Sequence, residues 1–358
     1  MLKDVVIRLF NEAIISDIHI EEGSPIWYRE FGQLKAQSGE LVTKTHIQLF
    51  LREITDIFPD DSSLANELDA KGDKDFSADL GAVRVRGNVF YINCGKLAVA
   101  LRKLNSEIPS LEQLGLPDQF IELANRSKGL LLVTGATGSG KSTTLASMVE
   151  RINTTKQRHI ITVEDPIEYR FISAMSKVSQ REIGKDAATF DLALRSALRQ
   201  DPDVVMIGEM RDRVTVETAL NAANTGHLVL ATLHTMNARQ SIERMVSFFS
   251  ADEKEWAQQC ISSVLLGVLS QVLVPKIDEN ERLLCYELLI NSPGAKQCIK
   301  EGKSQTLYNI METGRKEGHV LLNSNLLAQH RLGLISKEDA SYSAYDPLSF
   351  EKELANDF

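Results

Sequence analysis

Leu130-Leu131-Leu132-Val133-Thr134-Gly135-Ala136-Thr137-Gly138-Ser139-Gly140-Lys141-Ser142-Thr143 is the stretch on which the reading of this chain turns. Its apolar start predicts a buried strand, and a helical stretch from Thr143 to Ile152 follows directly. Between them Gly135 to Ser142 matches G-x-x-x-x-G-K-[ST] in the strand, loop and helix setting that this motif requires. Glycines let consecutive backbone N–H groups curl around an anion, and the helix that follows directs its positive end at the same charge. Gly135, Ala136, Thr137, Gly138, Ser139, Gly140, Lys141, Ser142 and Thr143 are therefore expected to cradle nucleotide phosphates. Lys141 is expected to reach the β- and γ-phosphates and Ser142 to ligate Mg²⁺, so ATP with Mg²⁺ is the expected ligand.

Outward from this loop the pattern repeats. His159–Val163, Val204–Ile207 and Leu228–Thr232 are short apolar runs followed by turns and helical stretches, which predicts an α/β fold with a parallel sheet and crossover helices. One run ends through Gly208 in Glu209, and another ends in Glu164-Asp165-Pro166. At the C-terminal edge of a parallel sheet both glutamates would face the phosphates, where either could polarise an attacking water. The pattern does not choose between them. His227 and His234 mark the two ends of the Leu228–Thr232 run; each could hydrogen-bond a phosphate oxygen or satisfy a nearby carbonyl. Asp191 to Arg199 reads as a helix that puts Arg195 and Arg199 on one face, as phosphate ligands or as ordinary surface charge. Arg84 and Arg86 alternate along an expected strand, share a face, and could serve a phosphate from outside the nucleotide domain.

The chain has 358 residues, enough for two domains with buried cores. Its 40 basic and 49 acidic residues leave a net charge of −9, which does not suit a protein that neutralises many nucleic-acid phosphates. No run approaches the roughly 20 apolar residues of a spanning helix, and the N-terminus has helical spacing in place of a signal-peptide core, so a cytoplasmic location without membrane insertion is expected. Cys94, Cys260, Cys285 and Cys298 have no C-x-x-C spacing and read as reduced thiols. Residues 1–104 read as an α+β domain with a hairpin around Trp27 to Leu34, a helix near Thr45 to Phe58 and a strand pair from Ala82 to Leu101. Residues 105–118 read as a linker and 119–358 as the nucleotide domain, with helical spacing after about residue 250 (Ile261, Val264, Leu265, Val268, Leu269, Val272).

With these motifs in order, the chain resembles the type II/type IV secretion ATPase superfamily, and within it the PilT-like ATPases of twitching motility, over nearly its whole length. Gly135 to Ser142 is similar to the family's Walker A, Thr162 to Glu168 to its aspartate box, Asp201 to Asp212 to its Walker B and Thr225 to Thr235 to its histidine box. Ser16-Asp17-Ile18-His19 and Arg84-Val85-Arg86-Gly87-Asn88 resemble motifs of its N-terminal domain. The resemblance implies a RecA-like domain bearing C-terminal helices, a smaller PAS-like domain before it, and a homohexamer that holds ATP against the arginines of the N-terminal domain. Arg84, Arg86 and Arg102 would sense the γ-phosphate, with Arg195 and Arg199 as further candidates. It also implies an Mg²⁺-dependent motor for pilus retraction, docked on an inner-membrane platform protein at the membrane's cytoplasmic face. A DotB-type secretion ATPase is the alternative within the superfamily, and a non-hydrolysing nucleotide-dependent scaffold the alternative outside it. The tetracysteine segment of the assembly motors is absent, whereas the retraction pattern A-I-R-N-L-I-R-E-G is altered here to Ala295-Lys296-Gln297-Cys298-Ile299-Lys300-Glu301-Gly302.

Overall fold

The computed structural model describes residues 2–12, 15–30, 33–81, 83–104, 107–277 and 281–355. The chain divides into two compact units, Met1–Glu107 with Pro166–Arg170, and Ile108–Asp165 with Phe171–Phe358. Ala82 and Asn105, where the strand pair and the linker are expected to begin, lie outside the described residues.

The first unit contains α1 (Leu2–Glu12), β1 (Ile15–Glu21), β2 (Trp27–Glu30), β3 (Gln33–Ala36), α2 (Lys44–Ile54), α3 (Asp61–Lys71), β4 (Asp73–Leu80), β5 (Val83–Ile92) and β6 (Lys96–Leu104). Its strands form one sheet in the order β3-β2-β1-β6-β5-β4, antiparallel throughout. Local chemistry starts the helices: the Thr43 hydroxyl accepts from His46 N–H at α2, and Asp60 accepts from Ser63 N–H at α3, each satisfying a donor that a helix start leaves over. Alternation along β5 buries Val83, Val85 and Val89 in a core with Ile18, Phe50, Leu51 and Phe58, and turns Arg84 and Arg86 to the other face.

The second unit contains α4 (Asp118–Leu123), β7 (Gly129–Thr134), α5 (Lys141–Thr155), β8 (His159–Glu164), β9 (Lys177–Glu182), α6 (Phe190–Ala197), β10 (Val204–Ile207), α7 (Arg213–Thr225), β11 (Leu228–Leu233), α8 (Ala238–Ser247) and α9 (Lys254–Val264). The chain continues through β12 (Leu265–Pro275), β13 (Arg282–Ile290), α10 (Pro293–Lys300), α11 (Leu307–Thr313), α12 (Leu322–Arg331), α13 (Lys337–Ser343) and α14 (Pro347–Ala355). The sheet order is β13-β12-β7-β11-β10-β8-β9, parallel except for the β12/β13 pair. Its central strands are buried on both faces, so neighbouring residues of one strand enter different cores. Leu130, Leu132, Val205, Ile207, Val229 and Ala231 pack with residues of α7, α8, α9 and α10. Leu131, Val133, Val204, Met206, Leu228 and Leu230 pack with Phe120, Leu145, Met148 and Val149 of α4 and α5. Leu111 and Leu116, within the stretch read as a linker, are buried in that same core.

One expectation is corrected here. Leu265 to Val272 is strand, pairing parallel with β7 and antiparallel with β13. Gly267 through Gln271 are all buried, so the period-two signature of a one-faced strand is absent and the apolar spacing imitates a helix. No turn residue warns of the change, because α9 ends at Val264 and β12 begins at Leu265.

Two expected outcomes follow from this packing. A Cβ on Gly267 would lie 2.7 Å from the Leu289 carbonyl oxygen and 3.0 Å from a Leu123 methyl. Gly267→Ala should therefore cost about 1–3 kcal/mol and lower the thermal midpoint; an unchanged midpoint would contradict this placement of β12. Glu287, on β13, is buried with its carboxylate accepting from Ala238 N–H at 2.8 Å, and burial pushes its pKa up from 4.5 to about 7 although that hydrogen bond opposes the rise. A carboxyl raised in the folded state binds more protons there than in the unfolded chain. Its contribution to stability is thus lost as pH rises from about 4.5 through 7, on the order of 3 kcal/mol. Buried His319, whose pKa burial lowers, slopes the other way but is common to wild type and variant. Glu287→Gln should accordingly gain stability on wild type between pH 5 and pH 8 in paired thermal melts, and a pH-independent difference would refute the assignment.

Candidate active site

The centre of the second unit's sheet edge is the loop between β7 and α5. Gly135, Gly138 and Gly140 take φ of 143°, 81° and 88°, a region that residues with a Cβ avoid. Gly135 also has no space for one: a Cβ would lie 2.4 Å from the Gln271 carbonyl oxygen and 2.5 Å from Ser139 Oγ. Gly140 caps α5 in the left-handed region and no side chain caps this helix, so its first N–H groups are not taken up by a side chain of the chain's own. Lys141, only 8% exposed, donates from Nζ to the carbonyls of Gly135 at 2.8 Å and Ala136 at 2.9 Å, which holds the ammonium over the loop. Ser139 Oγ is buried without a hydrogen-bond partner, and Ser142 is exposed on the first turn of α5. A cradle of left-handed glycines, an ammonium and a helix start without a side-chain cap suits a phosphate group, so the residues present fit the expected ligand.

Hydroxyls tie the cradle to the rest of the edge. Thr134, the last residue of β7, hydrogen-bonds Ser270 on β12 at 2.8 Å and accepts from Ser241 on α8 at 3.5 Å. Ser241 in turn meets Thr235 at 2.7 Å, just beyond β11. On the other side Gln271 Nε2 donates to Thr144 Oγ1 at 2.8 Å and so fixes α5 to β12.

The two glutamates stand at the same edge, in different surroundings. Glu209, one residue past Gly208 at the end of β10, receives Arg211 Nε at 2.6 Å on one carboxylate oxygen and lies 3.2 Å from His234 Nε2 with the other. Glu164, the last residue of β8 and 7% exposed, accepts on Oε1 from the Thr162 hydroxyl at 2.7 Å and from Gln180 Nε2 at 3.3 Å. Glu209 thus faces basic side chains, whereas these contacts of Glu164 come from neutral donors. Adjacent strands are about 4.8 Å apart, which puts β10 about 10 Å and β8 about 14 Å from β7 along the edge.

The structure separates other candidates from this edge. His227 sits at the start of β11, where its backbone carbonyl accepts from Gly129 N–H at the opposite end of β7, and its Nδ1 lies 3.0 Å from the carbonyl of Ala222 near the end of α7. Within this unit it is therefore a strand length, roughly 20 Å, from the loop that His234 adjoins. Arg195 is exposed and bonded to Asp191 at 2.6 Å. The shared helix face expected for Arg195 and Arg199 does not form, because α6 ends at Ala197 and Arg199 lies in the exposed turn towards the start of β10. Pro202 just after it has no backbone N–H to continue a helix, and Asp201 before that proline takes a left-handed φ of 54°. Thr162, Gln180 and the buried Glu182, register partner of Glu164, are edge residues that sequence reasoning missed. Glu182 ends β9 just as Glu164 ends β8, and that was the signal available for it.

In the first unit Arg84, Arg86 and Arg102 share one sheet face, since Arg86 and Arg102 are register partners on β5 and β6. Carboxylates flank them: Asp79 lies 3.6 Å from Arg84, Asp75 lies 3.1 Å from Arg86, and Asp17 accepts from Arg102 Nε at 2.8 Å. Burial acts to raise the Asp17 pKa, but hydrogen bonds from Ser16 and Arg102 outweigh it and hold the carboxyl below its ordinary value. Among the described residues no helix is long and apolar enough to cross a membrane, and no group of His, Cys, Asp and Glu side chains could by itself hold a metal ion.

Comparison with known proteins agrees with this architecture. The Type II/IV secretion system protein family matches residues 3–342. The uncharacterized protein YggR of Escherichia coli K12 is 42% identical over 93% of this chain and 99% of its own length. The type IV pilus retraction ATPase PilT of Pseudomonas aeruginosa PAO1 is 40% identical over 94% of this chain and 96% of its own. Among solved structures, the pilus retraction motor PilT with bound ADP superposes with a TM-score of 0.87 at 44% identity, covering 97% of this chain and 99% of that one. The ATPase DotB of Legionella pneumophila gives 0.78 at 27% identity, covering 95% and 94%. A parallel sheet that presents a glycine cradle and two strand-end glutamates at one edge is thus accompanied by matches along nearly the whole chain, and the protein belongs to the Type II/IV secretion system protein family.

Proposed function

We propose that this chain is an Mg²⁺-dependent ATPase whose hydrolysis drives pilus retraction as a homohexameric motor. The observation that carries the proposal is the meeting of the Gly135–Ser142 cradle with Glu164 and Glu209 at one sheet edge. Lys141 and the loop N–H groups bind the phosphates. Ser142 and Glu209, on the nearer strand, hold Mg²⁺, which on binding neutralises charge on the phosphate oxygens. Glu164, on the farther strand, orients the attacking water. The Thr162 hydroxyl and the Gln180 amide hold its buried carboxylate, and a group that orients a water near the γ-phosphate needs such a fixed direction. Its partners also argue against a non-hydrolysing scaffold, which has no use for a buried, oriented acid beside a phosphate cradle.

In the ring, Arg84, Arg86 and Arg102 supply positive charge to the nucleotide, and His234 reports on the phosphate through Glu209. The PilT proteins, at 40% and 44% identity, stand above DotB at 27%, which favours retraction over a DotB-type secretion role. The motor would act at the cytoplasmic face of an inner-membrane platform protein, without crossing the membrane or binding nucleic acid.

Purified protein should release phosphate steadily with Mg²⁺. Lys141→Ala should abolish turnover through lost nucleotide binding, and Glu164→Gln should lower kcat by about 10²–10⁴-fold with ATP still bound. Glu209→Gln should instead raise the Mg²⁺ concentration needed for half-maximal rate. Full turnover in Glu164→Gln would move the water-orienting role to Glu209. In cells, deletion should give surplus pili and no twitching; lost secretion with normal pili would point to the DotB-type role.

A further inference from the structure

Resting on the reading of Glu164 as the water-orienting group, we propose that Gln180 is a positioning residue that couples the Glu164 carboxylate to the placement of the segment Pro166–Arg170. Gln180 is on β9, beside its register partner Thr162 on β8. Its amide touches two different parts of the chain. Nε2 donates to Glu164 Oε1 at 3.3 Å, and Oε1 accepts from Phe171 N–H at 2.9 Å.

Those two partners flank the place where the chain leaves the second unit. Pro166–Arg170 belongs to the first unit, where Arg170 pairs with Asp79 at 2.7 Å and Asp79 also faces Arg84 at 3.6 Å. One planar amide therefore closes the neck of a chain excursion. Beyond the neck the loop is fixed to the helix of the phosphate cradle: buried Asn153 on α5 donates from Nδ2 to the Ile172 carbonyl at 2.8 Å and accepts from Ala174 N–H at 3.0 Å. With that side anchored, a displacement of Pro166–Arg170 reaches Gln180 through Phe171. The oxygen and nitrogen of an amide move as one rigid group, so a pull on the oxygen turns the nitrogen that donates to Glu164. An ångström of misplacement at a reacting group is worth about 10²-fold in rate, so this small linkage has leverage.

The test is steady-state ATP hydrolysis by the full chain, with binding of a fluorescent ADP analogue measured separately. Gln180→Ala should lower kcat about tenfold or more while analogue affinity stays within about twofold. Gln180→Glu keeps the acceptor for Phe171 N–H but replaces the donor to Glu164 by a like charge, and should be slowed at least as much. In a Glu164→Gln background Gln180→Ala should cost nothing further. Arg170→Ala, which releases the segment from Asp79, should slow the wild type and leave the Gln180→Ala protein unchanged. Wild-type kcat in Gln180→Ala, a normal rate in Gln180→Glu, multiplicative losses with Glu164→Gln, or an Arg170→Ala effect that survives without Gln180 would each overturn the proposal. A Glu164→Gln protein that turns over normally is a separate result, and refutes the role of Glu164 itself.

Discussion

Gly135 has no room for a side chain, and the form of the active edge depends on that constraint. The backbone of β12 presses against the loop so closely that the Gln271 carbonyl oxygen would stand 2.4 Å from any Cβ there. The contact sets where the loop begins, and with it the direction in which α5 leaves. The same strand then secures both sides of the loop, with Ser270 bonded to Thr134 before it and Gln271 to Thr144 after it. Lys141 follows from this placement, since its ammonium is held by carbonyls of the loop itself. A phosphate cradle is often described by its glycines alone; here its outer wall is a neighbouring strand.

Charge is distributed along the edge in a way that separates two kinds of work. Glu209 is surrounded by Arg211 and His234, with Arg211 also 3.9 Å from Asp165, so its carboxylate belongs to a network of ionic contacts open to solvent. Glu164 is buried, and a hydroxyl and an amide are among the groups that orient it. Low exposure strengthens such hydrogen bonds and makes their geometry matter more. One carboxylate is suited to sharing charge with a cation, the other to holding a direction.

Much of this was legible in the sequence. Strands β7, β8, β10 and β11 lie within a residue at each end of the apolar runs that announce them, because strands buried on both faces carry few polar interruptions. The cradle and the two glutamates then follow from what comes directly after those runs. The strand β12 was hidden by the same burial that made its neighbours visible, since a buried run joined to a helix keeps helical spacing. Gln180 was invisible for another reason, since only the β8/β9 register sets it beside Glu164, whereas Thr162 lies two residues before Glu164 on the same strand and alternation along β8 was the signal for it. The place of Pro166–Arg170 in the first unit is a long-range fact of the same kind, as is the alignment of Arg86 with Arg102. His227 shows the converse, a motif residue considered as a phosphate ligand whose place before β11 sets it at the end of the sheet opposite the cradle.

Single-turnover cleavage of ATP, with enzyme in excess and the reaction quenched in acid, tests the central claim most directly because it observes the chemical step apart from product release. The account requires rapid cleavage by the wild-type protein with Mg²⁺, and cleavage slowed by about 10² or more in Glu164→Gln while the bound ATP remains intact. Equal cleavage rates in the two proteins would contradict it.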